Sequence, residues 1–379
     1  MKIGVPGEIV EGESRVALIP DTVRRMVRQG AEILVQSGAG AGAFIADSEY
    51  EAAGAAMVPD AAAIAVQAEV VVKVQPPQSA EVEQYREGQI VISTLVPTLA
   101  TDLVRQVAAK KVTLLSLNLL PRITRAQSMD VLSSMSTVAG YKAVLLAAER
   151  LGKFFPMLMT AAGTVAPAHA FVLGAGVAGL QAIATARRLG ANVEAFDTRP
   201  VVREQVESLG AKFVEVELDT SEGEDAGGYA KEHSAEFLQK EQELLAERMA
   251  VADIVITTAL IPGKPAPKII TGEMVQGMHA GSVIVDLAAE MGGNCELTEP
   301  GQVVVKHGVI IIGLLNLPAT MPVHASQMYS TNMMTLLKHL APENEVAIQL
   351  DDEITGGICV THAGNVHHEP TRQLIESQS

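Results

Sequence analysis

The sequence predicts an α/β protein made of two Rossmann-like, doubly wound parallel-sheet domains joined by long helices. Short apolar runs alternate with helix-forming segments from residue 1 to about 125, and again from about 169 to 312. Strands that alternate with helices in this way normally pair in parallel. The 379 residues suffice for two cores, and 48% hydrophobic with 3% aromatic residues is typical of aliphatic α/β packing.

Two long helices are expected to organise these elements into two domains. The predicted strands are residues 2–5, 32–36, 70–74, 90–94, 112–117, 171–173, 193–196, 212–216, 254–258, 283–286, 303–305 and 309–312. The shorter predicted helices are 21–29, 61–67, 101–109 and 180–189. A helix over about 125–152 would bridge the domains, and one over 324–340 would return the chain to the first. We therefore expect an N-terminal domain of residues 1–130 completed by 325–379, and a second domain of residues 131–324.

The strongest motif lies near the start of the second domain. The buried strand at 171–173 leads into Gly174, Gly176 and Gly179, and a helix-forming segment then runs to Gly190. Gly174 would permit a tight turn, and Gly176 would let a pyrophosphate approach the backbone. Gly179 would let the helix pack closely on the strand. The N-terminus of that helix would attract the phosphates through its free N–H groups and its dipole.

An acid follows at the distance that a dinucleotide site needs. Asp197 ends the strand at 193–196, eighteen residues after Gly179. Its carboxylate would accept hydrogen bonds from the adenosine ribose and would repel a 2′-phosphate, which favours NAD(H) over NADP(H). Arg199 lies two residues later and could accept such a phosphate. Strand, turn, helix and acid together favour a nucleotide site over a simple packing turn.

Composition excludes several classes of protein. A net charge of −16 provides no basic face for a nucleic acid. Two cysteines, Cys295 and Cys359, are too few for a disulfide framework and fit a reducing cytoplasm, and no His/Cys spacing indicates a metal site. The N-terminus is typical of a strand rather than a signal peptide, and no window of eighteen apolar residues is free of charge, so no membrane span is expected.

Three connecting segments carry further expectations. From Leu218 to about Arg248 the chain is polar and acidic, and an insertion at the carboxyl end of a Rossmann strand is where a mobile lid would lie. A solvated charged loop is the alternative. Residues 154–170 are expected to form a tight connection whose methionines belong to the core. The glycine-rich run 37–42 lacks a strand–helix context and is expected to be a loop.

The segment Pro121 to Asp130 is the most informative cluster outside the glycine turn. Thr124 with Gln127 three residues later matches a capping box, which predicts that the bridging helix begins there. Gln127 and Asp130 would share a face of its first turn, and Arg122 could reach Asp130 as an ion pair. An ordinary cap with a surface salt bridge is an equally good interpretation of this pattern alone.

These motifs together resemble the NAD(H)-binding domain of the alpha subunit of proton-translocating NAD(P) transhydrogenase. The resemblance covers essentially the whole chain and is carried by five segments: Arg122-Ile-Thr-Arg-Ala-Gln-Ser-Met-Asp130, Gly174-Ala-Gly-Val-Ala-Gly-Leu-Gln-Ala-Ile-Ala184, Gly227-Gly-Tyr-Ala-Lys231, Thr257-Thr-Ala-Leu-Ile-Pro-Gly-Lys-Pro-Ala-Pro267 and Asp286-Leu-Ala-Ala-Glu-Met-Gly-Gly-Asn-Cys295. It implies the same fold and an NAD(H) site.

The resemblance also implies particular binding and catalytic residues. Its catalytic set is Arg122, Gln127, Asp130 and Ser133, beside the nicotinamide, and Tyr229, on a mobile loop that closes over the nucleotide. Its cofactor-binding set is Arg122, Ile123, Thr124, Gln127, Ser128, Met129, Asp130, Gly174, Gly176, Val177, Gly179, Asp197, Thr198, Arg199, Gly228 and Leu260.

In this family the subunit forms a homodimer and NADH passes hydride directly to NADP+ held on a separate NADP(H)-binding domain. A membrane proton-channel subunit couples that exchange to proton translocation. Direct transfer needs the two rings held roughly 3–3.5 Å apart but no acid or base, which agrees with the lack of a catalytic triad or carboxylate pair in the sequence. The resemblance implies a cytoplasmic protein bound peripherally to the inner face of the bacterial plasma membrane, and no hydrophobic span precedes Ser379, as in the split form.

Two other functions compete with this interpretation. Alanine dehydrogenase is similar in architecture, and Arg15 and Lys73 resemble its substrate-binding cations. Thr94-Leu-Val-Pro97 stands where that enzyme has a catalytic histidine, and Glu290 where it has an aspartate, so the proton transfer of amine oxidation lacks its base. A non-catalytic NAD-binding module would need neither the Arg122 loop nor Tyr229. The loops 95–99 and 315–322 depart from the transhydrogenase pattern.

Overall fold

The protein consists of two compact α/β units. The computed structural model describes residues 1–216, 235–261, 263–343 and 345–378. One unit comprises Met1–Met135 with Pro318–Ser379, and the other comprises Ser136–Leu317. Each unit is built on one mainly parallel sheet, of eight strands in the first and seven in the second. The predicted fold class is therefore confirmed.

The N-terminal segment contributes six strands and five α-helices to the first unit. The strands are β1 (Lys2–Val5), β2 (Glu32–Gln36), β3 (Ala56–Val58), β4 (Val70–Val72), β5 (Ile90–Ser93) and β6 (Thr113–Ser116), and the helices are α1 (Pro20–Arg28), α2 (Asp47–Ala53), α3 (Ala61–Gln67), α4 (Ser79–Val82) and α5 (Thr101–Ala109). The elements β3, α2 and α4 were not predicted from the sequence. All three are seven residues or shorter, so they show too few periods of hydrophobicity to be recognised.

The long helix α6 (Val131–Arg150) begins later than predicted. A 3-10 turn, Thr124–Met129, precedes it, and the N-cap of that turn is Ile123, which makes no side-chain hydrogen bond. The predicted Thr124/Gln127 capping box is therefore wrong. Asp130 acts instead, because its Oδ1 accepts a hydrogen bond from the backbone N–H of Ser133 at 2.9 Å. A carboxylate three residues before an orphan N–H is the usual geometry of an N-cap.

Helix α6 is also the one helix of the described residues that is long and apolar enough to cross a membrane. Of its most apolar window 39% is buried, and core helices satisfy the same criterion of length and composition. Ala143, Val144 and Ala147 belong to a core cluster of the second unit. The boundary between the two units falls within this helix, between residues 135 and 136.

The second unit has the alternating order of a Rossmann domain. Its strands are β7 (Leu158–Thr160), β8 (Gly163–Val165), β9 (His169–Leu173), β10 (Asn192–Phe196), β11 (Lys212–Val214), β12 (Ile254–Thr257), β13 (Val283–Asp286), β14 (Val303–Lys306) and β15 (Val309–Ile312), and its helices are α7 (Val177–Arg188), α8 (Arg203–Ser208), α9 (Ala235–Val251) and α10 (Gly272–Gly277). The sheet order is β11-β10-β9-β12-β13-β15-β14, and all pairs are parallel except β14 with β15.

Side chains of β9 alternate between two cores, one on each face of this sheet. Phe171 lies in the core cluster that contains Leu245 of α9, and Val172 lies in the cluster that contains Ile183 of α7. Successive side chains of a strand point to opposite faces, so an uninterrupted apolar run is buried only when helices cover both. This unit is therefore doubly wound.

The C-terminal segment completes the sheet of the first unit. It consists of α11 (Pro322–Leu340), α12 (Glu353–Ile358), β16 (Cys359–His362), β17 (Asn365–Val366) and α13 (Glu369–Ser377). The sheet order is β17-β16-β6-β5-β4-β1-β2-β3, with β16 antiparallel to β6. The hydroxyls of Ser326 and Ser330 on α11 accept hydrogen bonds from the backbone N–H groups of Val16 and Ile19.

The segment 154–170 differs from its prediction. It contains an antiparallel hairpin in which β7 and β8 pair with each other and belong to neither large sheet. Met157 is 59% exposed and Met159 is 77% exposed, so the prediction that these methionines lie in the core is wrong. Apolar residues in a short connection suggested burial, but a two-stranded hairpin has no second layer to cover them.

Candidate functional site

The glycine turn lies at the point where the strand order of the second unit's sheet reverses. The strand order runs outward from β9 through β10 on one side and from β12 through β13 on the other. Crevices at the carboxyl ends of two such strands are where ligands bind in open α/β sheets. Gly174 follows β9 and Thr258 follows β12, and the Thr258 hydroxyl donates to the carbonyl oxygens of Leu173 and Gly174, 3.2 Å away in each case.

Two of the three glycines are required by the path of the backbone. Gly174 has φ of +95°, which side-chain-bearing residues adopt only with strain. A Cβ on Gly179 would lie 1.8 Å from the carbonyl oxygen of Gly174, so α7 could not pack this close to the turn. Gly140 serves the same purpose on α6, because a Cβ there would lie 2.1 Å from the carbonyl oxygen of Ala178. Gly140 was not predicted, although a glycine inside a long helix is the signal for such a close contact.

Gly176 is different, because it leaves space for a ligand. A Cβ at this position would have no heavy atom within 4 Å, and the residue is the N-cap of α7. Val177, which follows it, is 43% exposed. An accessible helix N-terminus without side-chain cover is a ready anion site. The turn therefore fits the pyrophosphate of a dinucleotide.

Asp197 lies at the end of β10 beside this turn and is 9% exposed. Its Oδ2 accepts hydrogen bonds from the backbone N–H of Ala175 at 2.7 Å and from Nη2 of Arg199 at 2.9 Å. Its Oδ1 accepts from the N–H and from Nε of Arg199, both at 2.9 Å. The acid is therefore tied to the first loop of the motif and is fully hydrogen-bonded. Thr198, between the two charged residues, is half-buried.

A buried asparagine that was not predicted from the sequence fixes the loop after β12. The side-chain amide of Asn294 accepts from the N–H of Ala259 at 3.0 Å and donates to the carbonyl of Ala259 at 2.8 Å. Its Oδ1 also accepts from the Thr257 hydroxyl at 2.7 Å. Leu260, the next residue, is 44% exposed, as a predicted nucleotide contact requires. Asn294 belongs to the Asp286–Cys295 motif, and this membership is the sequence signal that could have identified it.

The predicted nicotinamide loop belongs to the first unit. Arg122, Thr124, Gln127 and Ser128 are exposed, Ile123 and Asp130 are half-buried, and the side chain of Met129 is 6% exposed in the core. Met129 can therefore offer a ligand little more than its backbone. Asp130 accepts hydrogen bonds from both the hydroxyl and the N–H of Ser133.

A residue far along the chain holds this loop, and no pattern in the sequence indicated it. Asn332 of α11 donates to the carbonyl of Ser128 at 2.9 Å and accepts from the hydroxyl of Ser134 at 2.7 Å. Asn332 is 8% exposed, so both bonds are shielded from water. Shielded side-chain bonds to backbone fix a loop more firmly than exposed ones do.

The first unit also contains a buried cluster of five ionisable side chains. Arg15 pairs with Glu13 through Nε at 2.7 Å and Nη2 at 2.6 Å, and Lys73 pairs closely with Glu81. Glu8 lies 3.9 Å from the Lys73 ammonium. Burial raises the pKa of the Glu8 carboxyl to about 7, against the opposing attraction of Lys73 and of two backbone N–H groups. Thr94 directly follows β5, and its hydroxyl donates a hydrogen bond to the carbonyl of Val74 at 2.5 Å.

A portion of the predicted lid lies outside the described residues. Gly228 and Tyr229 belong to that portion, and residues 235–251 of the same polar segment form α9. Among the described residues, no group of three or more His, Cys, Asp or Glu side chains is arranged to hold a metal ion.

A glycine turn at a topological switch point, followed by a buried acid at the end of the next strand, defines a Rossmann-like dinucleotide-binding protein. Comparison with known sequences narrows this class. The family profile "Alanine dehydrogenase/PNT, N-terminal domain" matches residues 4–139, and "Alanine dehydrogenase/PNT, C-terminal domain" matches residues 143–369. The chain belongs to this family of oxidoreductases, whose NAD(H) binding agrees with the turn and acid described above.

Transhydrogenase relatives share more sequence identity with this chain than an alanine dehydrogenase of the same fold does. The chain is 48% identical to a polypeptide of the NAD(P) transhydrogenase alpha subunit of Rhodospirillum rubrum, over 97% of this chain and 98% of that polypeptide. It is 43% identical to the transhydrogenase structure from Sinorhizobium meliloti, with a TM-score of 0.85 and 97% and 98% coverage. An L-alanine dehydrogenase structure gives the same TM-score at 28% identity, with both chains fully covered. The resemblance to the transhydrogenase alpha subunit is therefore confirmed.

Proposed function

We propose that this protein is the NAD(H)-binding component of a proton-translocating transhydrogenase. In this proposal hydride passes directly between NADH and NADP+ held on a partner domain, and a membrane subunit couples that exchange to proton translocation. The observation that carries the choice of reaction is the segment Thr94–Pro97, which has no histidine and whose threonine hydroxyl is bonded to the Val74 carbonyl. Amine oxidation needs a proton acceptor, whereas direct hydride transfer needs none.

Each residue of the proposed site has a role that follows from its chemistry. Gly174, Gly176 and Gly179 admit the pyrophosphate at the N-terminus of α7, and Asp197 accepts the adenosine ribose hydroxyls. When bound, NAD(H) supplies or accepts the hydride at its nicotinamide. Arg122, Gln127 and Asp130, with Ser133 behind Asp130, orient the nicotinamide ring and its ribose. Tyr229, with Gly228, closes over the nucleotide and excludes water.

The remaining predicted contacts support the same nucleotide. We assign Val177 and Leu260, both apolar and more than two-fifths exposed, to contacts with it. The nicotinamide loop contributes four further contacts, from Ile123, Thr124, Ser128 and Met129. The ribose site is flanked by Thr198 and Arg199. The domain of residues 131–324 is the NAD(H)-binding Rossmann domain, and residues 1–130 with 325–379 form the other domain.

We further propose that the protein is a homodimer that binds an NADP(H)-binding domain and a membrane proton-channel subunit. It would lie in the cytoplasm against the inner face of the bacterial plasma membrane. The hairpin β7–β8, together with Met157 directly before it, supports self-association, because Met157, Met159 and Val165 expose 59%, 77% and 42% of their surface. Isolated two-stranded hairpins with exposed apolar residues are stabilised by a second layer, which a partner subunit supplies.

Purified protein tests the proposal directly. We expect NADH to bind with micromolar-range affinity, NADPH to bind more weakly, and L-alanine to give no NAD+ reduction. Mixed with an NADP(H)-binding component, the protein should support hydride exchange between NADH and an oxidised NADP analogue. Alanine-dependent NAD+ reduction would instead establish the alanine dehydrogenase function, and NADH binding without either reaction would establish a non-catalytic module.

A variant of the nicotinamide loop tests the role of Gln127. Gln127→Asn shortens the side chain by one methylene, so an amide that orients the ring would no longer reach it. We expect the hydride-transfer rate to fall at least tenfold while the NADH dissociation constant changes by less than about threefold. Gln373→Asn, on the exposed face of α13, is the matched control. An unchanged rate in Gln127→Asn removes this residue from the site.

A further inference from the structure

The carboxylate of Asp197 has no hydrogen-bonding capacity left for a ribose. An ionised carboxylate offers about four acceptor positions on its two oxygens. Four donors already occupy them: the N–H groups of Ala175 and Arg199, and the Nε and Nη2 atoms of Arg199. Two of these donors belong to the backbone and two to one side chain. Both residues are mainly shielded, with side-chain exposures of 7% for Asp197 and 21% for Arg199.

We propose that Arg199 determines nucleotide specificity by competing with the ribose for Asp197, an inference that rests on the NAD(H) site proposed above. When the guanidinium moves away, the two backbone bonds keep the carboxylate in place and two acceptor positions become free. A ribose has two hydroxyls to donate, so the exchange is one for one. The side chain of Arg199 therefore acts as an internal occupant of the ribose site, and each NADH that binds must displace it.

The same side chain favours a 2′-phosphate. Asp197 alone would repel that group, but Arg199 cancels most of its charge at a distance of 2.9 Å. A guanidinium displaced from Asp197 stays on a residue two positions away and can bind a phosphate through two parallel N–H bonds. Arg199 thus weakens NADH binding and strengthens NADPH binding, and the discrimination between them is smaller than Asp197 alone would produce.

Another arginine of the same unit provides a control with the same change of charge. Arg203 pairs with Glu215 and lies 5.2 Å from the centre of the Phe213 ring. It makes a surface ion pair on α8 rather than a bond to Asp197. Arg203→Gln therefore removes one positive charge from this region without changing the hydrogen bonds of the ribose site.

Titration calorimetry on the full chain tests the competition. The ligands are NADH, NADPH, 5′-AMP and adenosine 2′,5′-bisphosphate, of which the last two differ only in the 2′-phosphate. In Arg199→Gln we expect NADH and 5′-AMP to bind several-fold more tightly and the ratio of NADPH to NADH dissociation constants to rise at least tenfold. Arg199→Lys keeps the charge but not the planar fork, so its dissociation constants should lie between those of the wild type and those of Arg199→Gln. Arg203→Gln should match the wild type.

A second variant addresses the released guanidinium. Asp197→Asn removes the charge that holds Arg199, so the bisphosphate should bind at least several-fold more tightly than to the wild type while 5′-AMP binds less tightly. The proposal is overturned if Arg199→Gln weakens NADH, or if its NADPH to NADH ratio stays within twofold of the wild type. Failure of the wild type to bind NADH would overturn the nucleotide site itself, which is a separate result.

Discussion

The hydroxyl of Ser133 donates a hydrogen bond to Oδ2 of Asp130 at 2.6 Å, while the N–H of the same residue donates to Oδ1 at 2.9 Å. This pair joins the 3-10 turn Thr124–Met129 to the first turn of α6 and holds the Asp130 carboxylate in one orientation. The N–H bond serves as the helix cap, and the hydroxyl bond sets the rotation of the carboxylate. Structure and proposed catalysis therefore depend on two different atoms of Ser133.

Replacing Ser133 by alanine separates these two roles. Ser133→Ala keeps the N–H bond and removes the hydroxyl bond, which costs about 1 kcal/mol of unfolding free energy. Because Asp130 can then rotate, we expect the hydride-transfer rate to fall about three- to tenfold with little change in NADH affinity. Transfer is measured with the reconstituted NADP(H)-binding component. Ser208→Ala, at an exposed position of α8, should change neither quantity, and a normal rate in Ser133→Ala would exclude the orienting role.

Asn332 offers a test of the loop from a distant element. Asn332→Ala leaves the Ser128 carbonyl and the Ser134 hydroxyl without this partner, which should cost about 1–3 kcal/mol and lower the melting temperature. Asn332→Asp can still accept from Ser134 but cannot donate to Ser128. If the Ser128 bond positions the nicotinamide loop, both variants lose hydride-transfer rate. Full activity in Asn332→Asp would show that the hydrogen bond to the Ser128 carbonyl is not needed for hydride transfer.

The glycines of the turn should respond to alanine in opposite ways. Gly176→Ala meets no atom within 4 Å and has φ of −76°, so the melting temperature should remain within about 2 °C of the wild type. Its methyl group would occupy the path of the pyrophosphate, and NADH should bind at least tenfold more weakly.

Gly179→Ala forces a methyl group onto the Gly174 carbonyl at 1.8 Å, so it should destabilise the fold by several kcal/mol. Calorimetry and thermal unfolding distinguish the two variants. An unstable Gly176→Ala, or a Gly179→Ala as stable as the wild type, would contradict this division between binding and packing.

The Rossmann unit was predictable because its signals are local. The strands Val283–Asp286 and Val309–Ile312 were predicted to the residue, since continuous apolar runs between polar turns specify strands that are buried on both faces. The glycine spacing and Asp197 also lie within one short β-α-β segment. Gly174 and Gly179 indeed occupy a left-handed turn and a close approach, as their spacing indicates.

Contacts between distant residues could not be predicted in the same way. Asn332 is 204 residues from Ser128, and Asn294 is 35 residues from Ala259, so no local period relates either pair. The capping box at Thr124 failed for a related reason. Its residues fit the motif, but Asn332 holds the Ser128 carbonyl from a distant element, and Asp130 rather than Thr124 caps α6. A tertiary contact of the Asn332 kind overrides local preference.

The buried carboxyl of Glu8 predicts how stability depends on pH. Burial raises its pKa from 4.5 to about 7, against the attraction of Lys73 and of the N–H groups of Val74 and Gln75, while Glu13 adds repulsion. Between these two values the folded protein holds a proton that the unfolded chain has released. The stabilisation from that proton is complete below about pH 4.5 and is lost as pH rises through 7.

Glu8→Gln should remove this dependence, because glutamine is neutral at every pH and its Oε1 can still accept from Val74. Chemical unfolding at pH 5, 6, 7 and 8 gives the difference in unfolding free energy between the wild type and the variant. We expect the wild type to lose stability relative to Glu8→Gln from pH 5 to about 7 and the difference to level off above it. Glu11→Gln, exposed three residues along the same loop, is the matched control. Parallel curves for the wild type and Glu8→Gln would mean that Glu8 is already ionised throughout this range, and that Lys73 outweighs burial.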